Sequence, residues 1–128
     1  AEEAAAEEAP GAGPPRCRFC GLALSSAGSH RELCANLRRH GVLKSQLAFD
    51  AYEQVDRADF VPAGIADPYL DAAVVLGATG AQISAPHVHA SALELLCGAL
   101  AARGPGAPPP RALDVGCGPP PRGWGEGA

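Results

Sequence analysis

The chain has 128 residues, enough for one domain and one core, and a formal charge of −4 at pH 7. Glu2, Glu3, Glu7 and Glu8 account for that charge; acids and bases balance elsewhere, which excludes the broad basic face of a nucleic-acid binder. Hydrophobic residues make up 47%, but much of this is alanine and no apolar run approaches the ~20 residues of a membrane span.

The 16 glycines and 13 prolines crowd toward the ends, leaving the middle to carry the fold. Residues 1–28 read as a flexible leader, acidic first, then "PGAGPPR", then a short apolar "FCGLAL". The start lacks the positive n-region of a signal peptide, and the five cysteines are expected as reduced thiols in a cytoplasmic chain.

Order is expected to begin at "SHRELCANLRRHG". Ser29 with Glu32 forms a capping box, Leu33, Cys34 and Leu37 make one apolar stripe, and Gly41 suits the left-handed residue that stops a helix. Ser45 caps a second helix with Ala48, Ala51, Tyr52 and Val55 on one side. "DRADFVPAGIADPYLD" reads as an ordered, turn-rich loop. After Gly77 and Gly80 come a short extended segment and then Pro86. A third helix is predicted from about His89 to about Ala102, with Leu93, Leu96, Cys97 and Leu100 facing the core. "RGPGAPPP" is a linker, and "RALDV" is a short strand candidate running into Gly116.

Three constellations offer chemistry. A strand ending in "LDVGCG" lets the backbone approach a nucleotide closely, although an ordinary tight turn has the same composition. "QISAPHVHA" sets Ser84, His87 and His89 at the start of a helix. It has no evident third metal ligand and no G-x-S-x-G elbow, so buried, hydrogen-bonded polar groups are the plainer reading. Cys17, Cys20, His30 and Cys34 spell C-x2-C-x9-H-x3-C, with zinc-like ligand types. The first pair lies in the leader and Cys34 sits on an apolar stripe, where a small buried thiol is the usual outcome, so no metal is expected.

Taken in order, "SHRELCANLRRHGVLKS", "DRADFVP", "PYLD", "QISAPHVHASALELL" and "ALDVGCG" resemble the protein-L-isoaspartate (D-aspartate) O-methyltransferase family over about residues 29–118. The resemblance implies an α/β fold: part of a Rossmann-like, S-adenosylmethionine-dependent methyltransferase, mostly its N-terminal helices plus the first strand. It maps cofactor contact onto Ala81, Gln82, Ile83, Ser84, His89, Gly116 and Gly118, and the active-site serine onto Ser84. The substrates it implies are damaged proteins carrying isoaspartyl residues, methylated on the free carboxylate by a cytoplasmic enzyme expected to be a monomer, without nucleic acid or membrane.

That chemistry needs little acid–base help. The nucleophile is an already ionised carboxylate and the leaving group a neutral thioether, so alignment, which can contribute ~7–11 kcal/mol, is the main requirement. The methyl ester then collapses to a succinimide, which hydrolyses partly to normal aspartate.

Pro119, Pro120 and Pro121 depart from the family's glycine loop, because they remove amide donors where the loop should open into a helix. Residues 119–128 are therefore expected to lie outside the family pattern, as read-through, an alternative exon or a mis-joined gene, and this chain alone is expected to be inactive. Two alternatives stay open: a non-catalytic helical interaction fragment, and a zinc-stabilised N-terminal module.

Overall fold

The computed structural model describes residues 13–118; the acidic run at 1–10 and the expected 119–128 tail lie outside the described residues. In chain order the elements are α1 (His30–Arg39), α2 (Gln46–Glu53), a 3-10 turn (Arg57–Asp59), β1 (Val74–Leu76), a second 3-10 turn (Gly77–Thr79), β2 (Ala81–Ile83) and α3 (Pro86–Ala101).

Capping chemistry sets the first helix. The Ser29 hydroxyl accepts from the Glu32 amide at 3.3 Å, while the Glu32 carboxylate reaches past Ser29 to the Gly28 amide at 2.9 Å. The capping box thus forms with its return arm moved one residue outward. At the other end Val42 N donates to Leu37 O, Gly41 N donates to Arg38 O, and Gly41 has φ +72°. These two bonds are a Schellman motif, and the positive φ is why glycine stands there.

Leu33, Cys34 and Leu37 are fully buried, as their stripe requires. With Val42, Leu43, Ala48, Ala90 and Cys97 they make a core in which α1 meets α2 and α2 meets α3. Each buried leucine contributes about 1.5–3 kcal/mol relative to exposure. Ser45 caps α2 by accepting from the Ala48 amide. Glu94 of α3 reinforces that corner, its carboxylate accepting from Lys44 N at 2.6 Å, Ser45 N at 2.7 Å and the Ser45 hydroxyl. Burial raises the Glu94 pKa, but the Ser45 and Lys44 donors outweigh it and leave the carboxyl below its ordinary value.

Several expectations need correction. Residues 13–28, read as part of a flexible leader, make defined contacts. Ala23 and Ser25 are buried, Ala27 N donates to Tyr69 O, and Asn36 donates to Ser26 O. Polar backbone groups that find partners on α1 and the 69–71 loop can order a segment even when its composition is loop-like.

The third helix starts at Pro86 rather than near His89, because proline is well suited to the first helical position. Its predicted stripe is only partly covered: Cys97 is buried, but Leu96 and Leu100 are exposed. "RALDV" forms no strand, and Leu113 and Val115 are each 87% exposed. A parallel strand needs a neighbour to accept its ladder bonds. Among the described residues the two strands form a small antiparallel ribbon with Val74 opposite Ile83 and Leu76 opposite Ala81. Its second strand is the extended segment predicted after Gly80; its first was not foreseen. Among the described residues no helix is long and apolar enough to cross a membrane.

Candidate functional site

The ribbon delivers β2 into a sharp corner. Ala81 and Gln82 are exposed, Ile83 is half-buried and Ser84 is exposed; Ala85, Pro86 and His87 are then buried as α3 begins. Ser84 thus stands at a rim whose next three residues are anchored in the protein. His89 lies on the first turn of the same helix.

Two buried side chains hold the corner, and sequence reasoning assigned neither. Arg57, on the 3-10 turn that Asp56 caps, sends Nη1 to Ser84 O at 2.7 Å and Nη2 to Ala72 O at 3.3 Å. The same Nη1 lies 3.5 Å from His89 Nδ1. His89 is exposed as a whole residue, yet crowding of its ring, and then the Arg57 charge, hold its pKa below the ordinary value. Neutral imidazole is therefore its form at pH 7.

Asp71 is the second anchor. Its side chain is wholly buried, with Oδ1 accepting from His87 N at 3.0 Å and His87 Nδ1 at 2.7 Å. Oδ2 accepts from Ser25 N at 2.8 Å. Ala85 provides no side-chain cap for α3, so this distant carboxylate satisfies a first-turn amide in its place. The available signal was an aspartate set in the apolar "PYLDAAVV", a composition that also suits a simple turn.

The remaining predicted site residues stand apart. Gly116 and Gly118 have φ of +84° and +75°, and no atom lies within 4 Å of an added Cβ at either. That backbone can approach a ligand closely. Every residue from 103 to 118 is exposed, and bonds there such as Ala107 N to Gly104 O are local. The chain thus presents 81–84 and His89 as one assembled corner, with the glycines outside its packed part. An open hollow of about 240 Å³, lined by Val42, Lys44, Glu94 and Leu95 among others, contains none of these residues.

The zinc-like quartet of the sequence separates. His30 and Cys34 stay together, with Sγ 3.6 Å from Nε2, and His30 also meets the Glu53 carbonyl at 3.0 Å. Burial, then the Glu53 charge, push the Cys34 thiol up to about 11. Cys17 and Cys20 instead converge on His87, the ligand atoms of all three lying within 4.8 Å of one another.

A family model described as protein-L-isoaspartate(D-aspartate) O-methyltransferase matches residues 28–120. A protein-L-isoaspartate O-methyltransferase of Caenorhabditis elegans is 47% identical over 94 residues, covering 73% of this chain and 37% of that protein. Protein-L-isoaspartate O-methyltransferase 2 of Arabidopsis thaliana is 40% identical over 94 residues, covering 73% and 28% respectively. A Plasmodium falciparum protein-L-isoaspartate O-methyltransferase, solved with S-adenosyl-L-homocysteine, superimposes with TM-score 0.50 at 34% identity, over 58% of this chain and 32% of that one. The chain therefore spans about a third of the length of the relatives it matches.

Proposed function

We propose, since the chain belongs to the protein-L-isoaspartate(D-aspartate) O-methyltransferase family, that it serves methyl transfer from S-adenosyl-L-methionine to free carboxylates of L-isoaspartyl and D-aspartyl residues in damaged proteins. The activity belongs to a protein carrying this chain together with the remaining span of its relatives. The observation that carries the reading is the corner at Ser84, exposed between a short strand and three buried residues and pinned through its carbonyl by Arg57.

The residues fit the cofactor in part. Ala81, Gln82, Ile83, Ser84 and His89 lie on one continuous stretch, and Gly116 and Gly118 supply backbone that tolerates close approach. When bound, S-adenosyl-L-methionine supplies an electrophilic methyl on a sulfonium. The chain's own part is positioning. The Ser84 hydroxyl donates a hydrogen bond that orients the substrate carboxylate without protonating it. Arg57 fixes the backbone carrying that hydroxyl, and neutral His89 offers a hydrogen bond without adding charge. Such alignment is where the rate comes from, because the nucleophile is already ionised at neutral pH. We place the protein in the cytoplasm, as a monomer without nucleic-acid or membrane partners.

The 128-residue chain by itself transfers no methyl groups, because the glycine loop lies in an exposed stretch and the chain spans about a third of its relatives. Incubation with labelled S-adenosyl-L-methionine and an isoaspartyl peptide tests both statements. The longer protein should turn over, Ser84→Ala should lower its rate, and the 128-residue chain should be silent. Failure of the longer protein to bind the donor overturns the proposal.

A second reading rests on one observation: α1, α2 and α3 pack a core among themselves while Leu95 and Leu96 of α3 stay exposed. In that reading the chain is a non-catalytic helical fragment that docks on another protein. Slow amide exchange across 30–53 and 86–101 in the isolated chain would favour it, and uniformly fast exchange would remove it.

A further inference from the structure

The leader folds into a small turn around Cys17 and Cys20. Cys17 N donates to Leu22 O at 2.8 Å, Gly21 N donates to Cys17 O at 2.8 Å, and Arg16 pairs with Ala23 as an antiparallel bridge. Gly21 has φ +72°, so C-R-F-C-G closes with the glycine that this turn requires. The closed turn puts both sulfurs on the side facing His87.

His87 is prepared for the same encounter. Buried Asp71 accepts from its Nδ1 at 2.7 Å, which fixes the tautomer and leaves the lone pair on Nε2. A carboxylate behind an imidazole that faces thiols is the arrangement that orients histidine ligands in zinc sites. A tetrahedral zinc with Zn–S of about 2.3 Å holds two sulfurs about 3.8 Å apart. Ligand atoms already within 4.8 Å of one another therefore reach bonding positions by small side-chain rotations.

We propose that Cys17, Cys20 and His87 bind one zinc ion, with the fourth position left to water, and that this ion staples the leader onto the first turn of α3. Two thiolates and one imidazole are a ligand set that suits zinc. Cys34 is fully buried against His30 and lies outside this group, so the ligands are not those the sequence spacing suggested. The site shares no residue with the cofactor-contact set. It nonetheless fixes the helix turn that follows Ser84.

Metal content and zinc titration of the whole 128-residue chain, prepared reduced, test this. One zinc per chain is expected, together with a thiolate-to-metal absorption band when cobalt(II) replaces zinc. Cys17→Ser and Cys20→Ser should each abolish stoichiometric binding, Asp71→Asn should weaken it about 10–100-fold, and Cys117→Ser should change nothing. Should His87→Gln fail to fold, the His87 ring resonances of the unaltered chain give the same information, since they should shift on zinc addition while those of His89 stay in place. A folded chain that takes up no zinc overturns the proposal. So does zinc binding that leaves the His87 resonances unmoved, or binding indifferent to Cys17 and Cys20.

Discussion

Replacing Asp71 with asparagine should be far more damaging than one lost charge suggests. The carboxylate receives three donors, Ser25 N at 2.8 Å, His87 N at 3.0 Å and His87 Nδ1 at 2.7 Å, with its side chain wholly buried. An asparagine has one acceptor oxygen and one amide nitrogen. If its oxygen keeps both His87 donors, its NH2 is pressed against the Ser25 N–H, and both groups are buried without an acceptor. If it flips, two donors are lost instead of one. A buried donor left unmet costs about 1–3 kcal/mol, so two of them cost about 2–6 kcal/mol. Against the 5–15 kcal/mol typical of a domain that is a large fraction. At about 4–8 °C per kcal/mol for a domain near this size, a 3 kcal/mol loss lowers Tm by about 12–24 °C. Urea and thermal unfolding of the two chains, with a chelator in both so that metal contributes nothing, measure the difference. Asp59→Asn, at an exposed position, should stay within about 0.5 kcal/mol and serves as the control. If Asp71→Asn also stayed within that margin, the carboxylate would not be the junction described here.

Core and surface leucines should separate cleanly: Leu37→Ala, at a fully buried position, should cost about 2–5 kcal/mol. Leu96→Ala, at a position 60% exposed, should cost under about 1 kcal/mol by the same unfolding assay. The His89 ring, followed by NMR titration, should change charge below the ordinary value of 6.5, and Arg57→Gln should move its midpoint upward by removing the adjacent cation. Because that folded-state value is depressed, neutral His89 contributes stability above pH 6.5 that is lost as pH falls through the folded value. Glu94 has the same sign at lower pH. Its stabilising effect is complete above the ordinary 4.5 and is lost as pH drops through the lower folded value, so Glu94→Gln should flatten the acid limb of a stability profile.

The helical core was legible because its signals are local. Ser29, Gly41 and Ser45 mark helix ends through bonds to residues at most four positions away, and the Leu33–Cys34–Leu37 stripe needs only helical periodicity. The stretch 81–84 was singled out in a different way, through a run of residues resembling a family rather than through any periodicity. What stayed hidden depends on partners far along the chain. Asp71 meets Ser25 across 46 positions and His87 across 16, and Arg57 meets Ser84 across 27. No local rule distinguishes such an aspartate or arginine from an ordinary loop charge. The cysteines show the same limit: the C-x2-C pair was visible, but its histidine partner is the one α3 supplies, not the nearest in sequence. The strand expected at "RALDV" failed for the converse reason. Its local pattern was adequate, but a strand exists only with a neighbour, and Leu113 and Val115 have none to cover them.

These long-range contacts share a target. Arg57 takes the carbonyl of Ser84, Asp71 takes the amide and ring of His87, and the Cys17–Cys20 turn faces that ring from the outside. All three act on the few residues where β2 becomes α3, a segment whose own helix cap, Ala85, has no side chain to stabilise it. The Ser84 rim is therefore held by elements before it in sequence. In the longer protein proposed to carry the activity, a change at Arg57 or Asp71 should consequently mimic a change at Ser84 in a methyl-transfer assay while also lowering stability, whereas Ser84→Ala should reduce the rate and leave stability nearly intact. The two signatures distinguish residues that shape the corner from the serine proposed to use it.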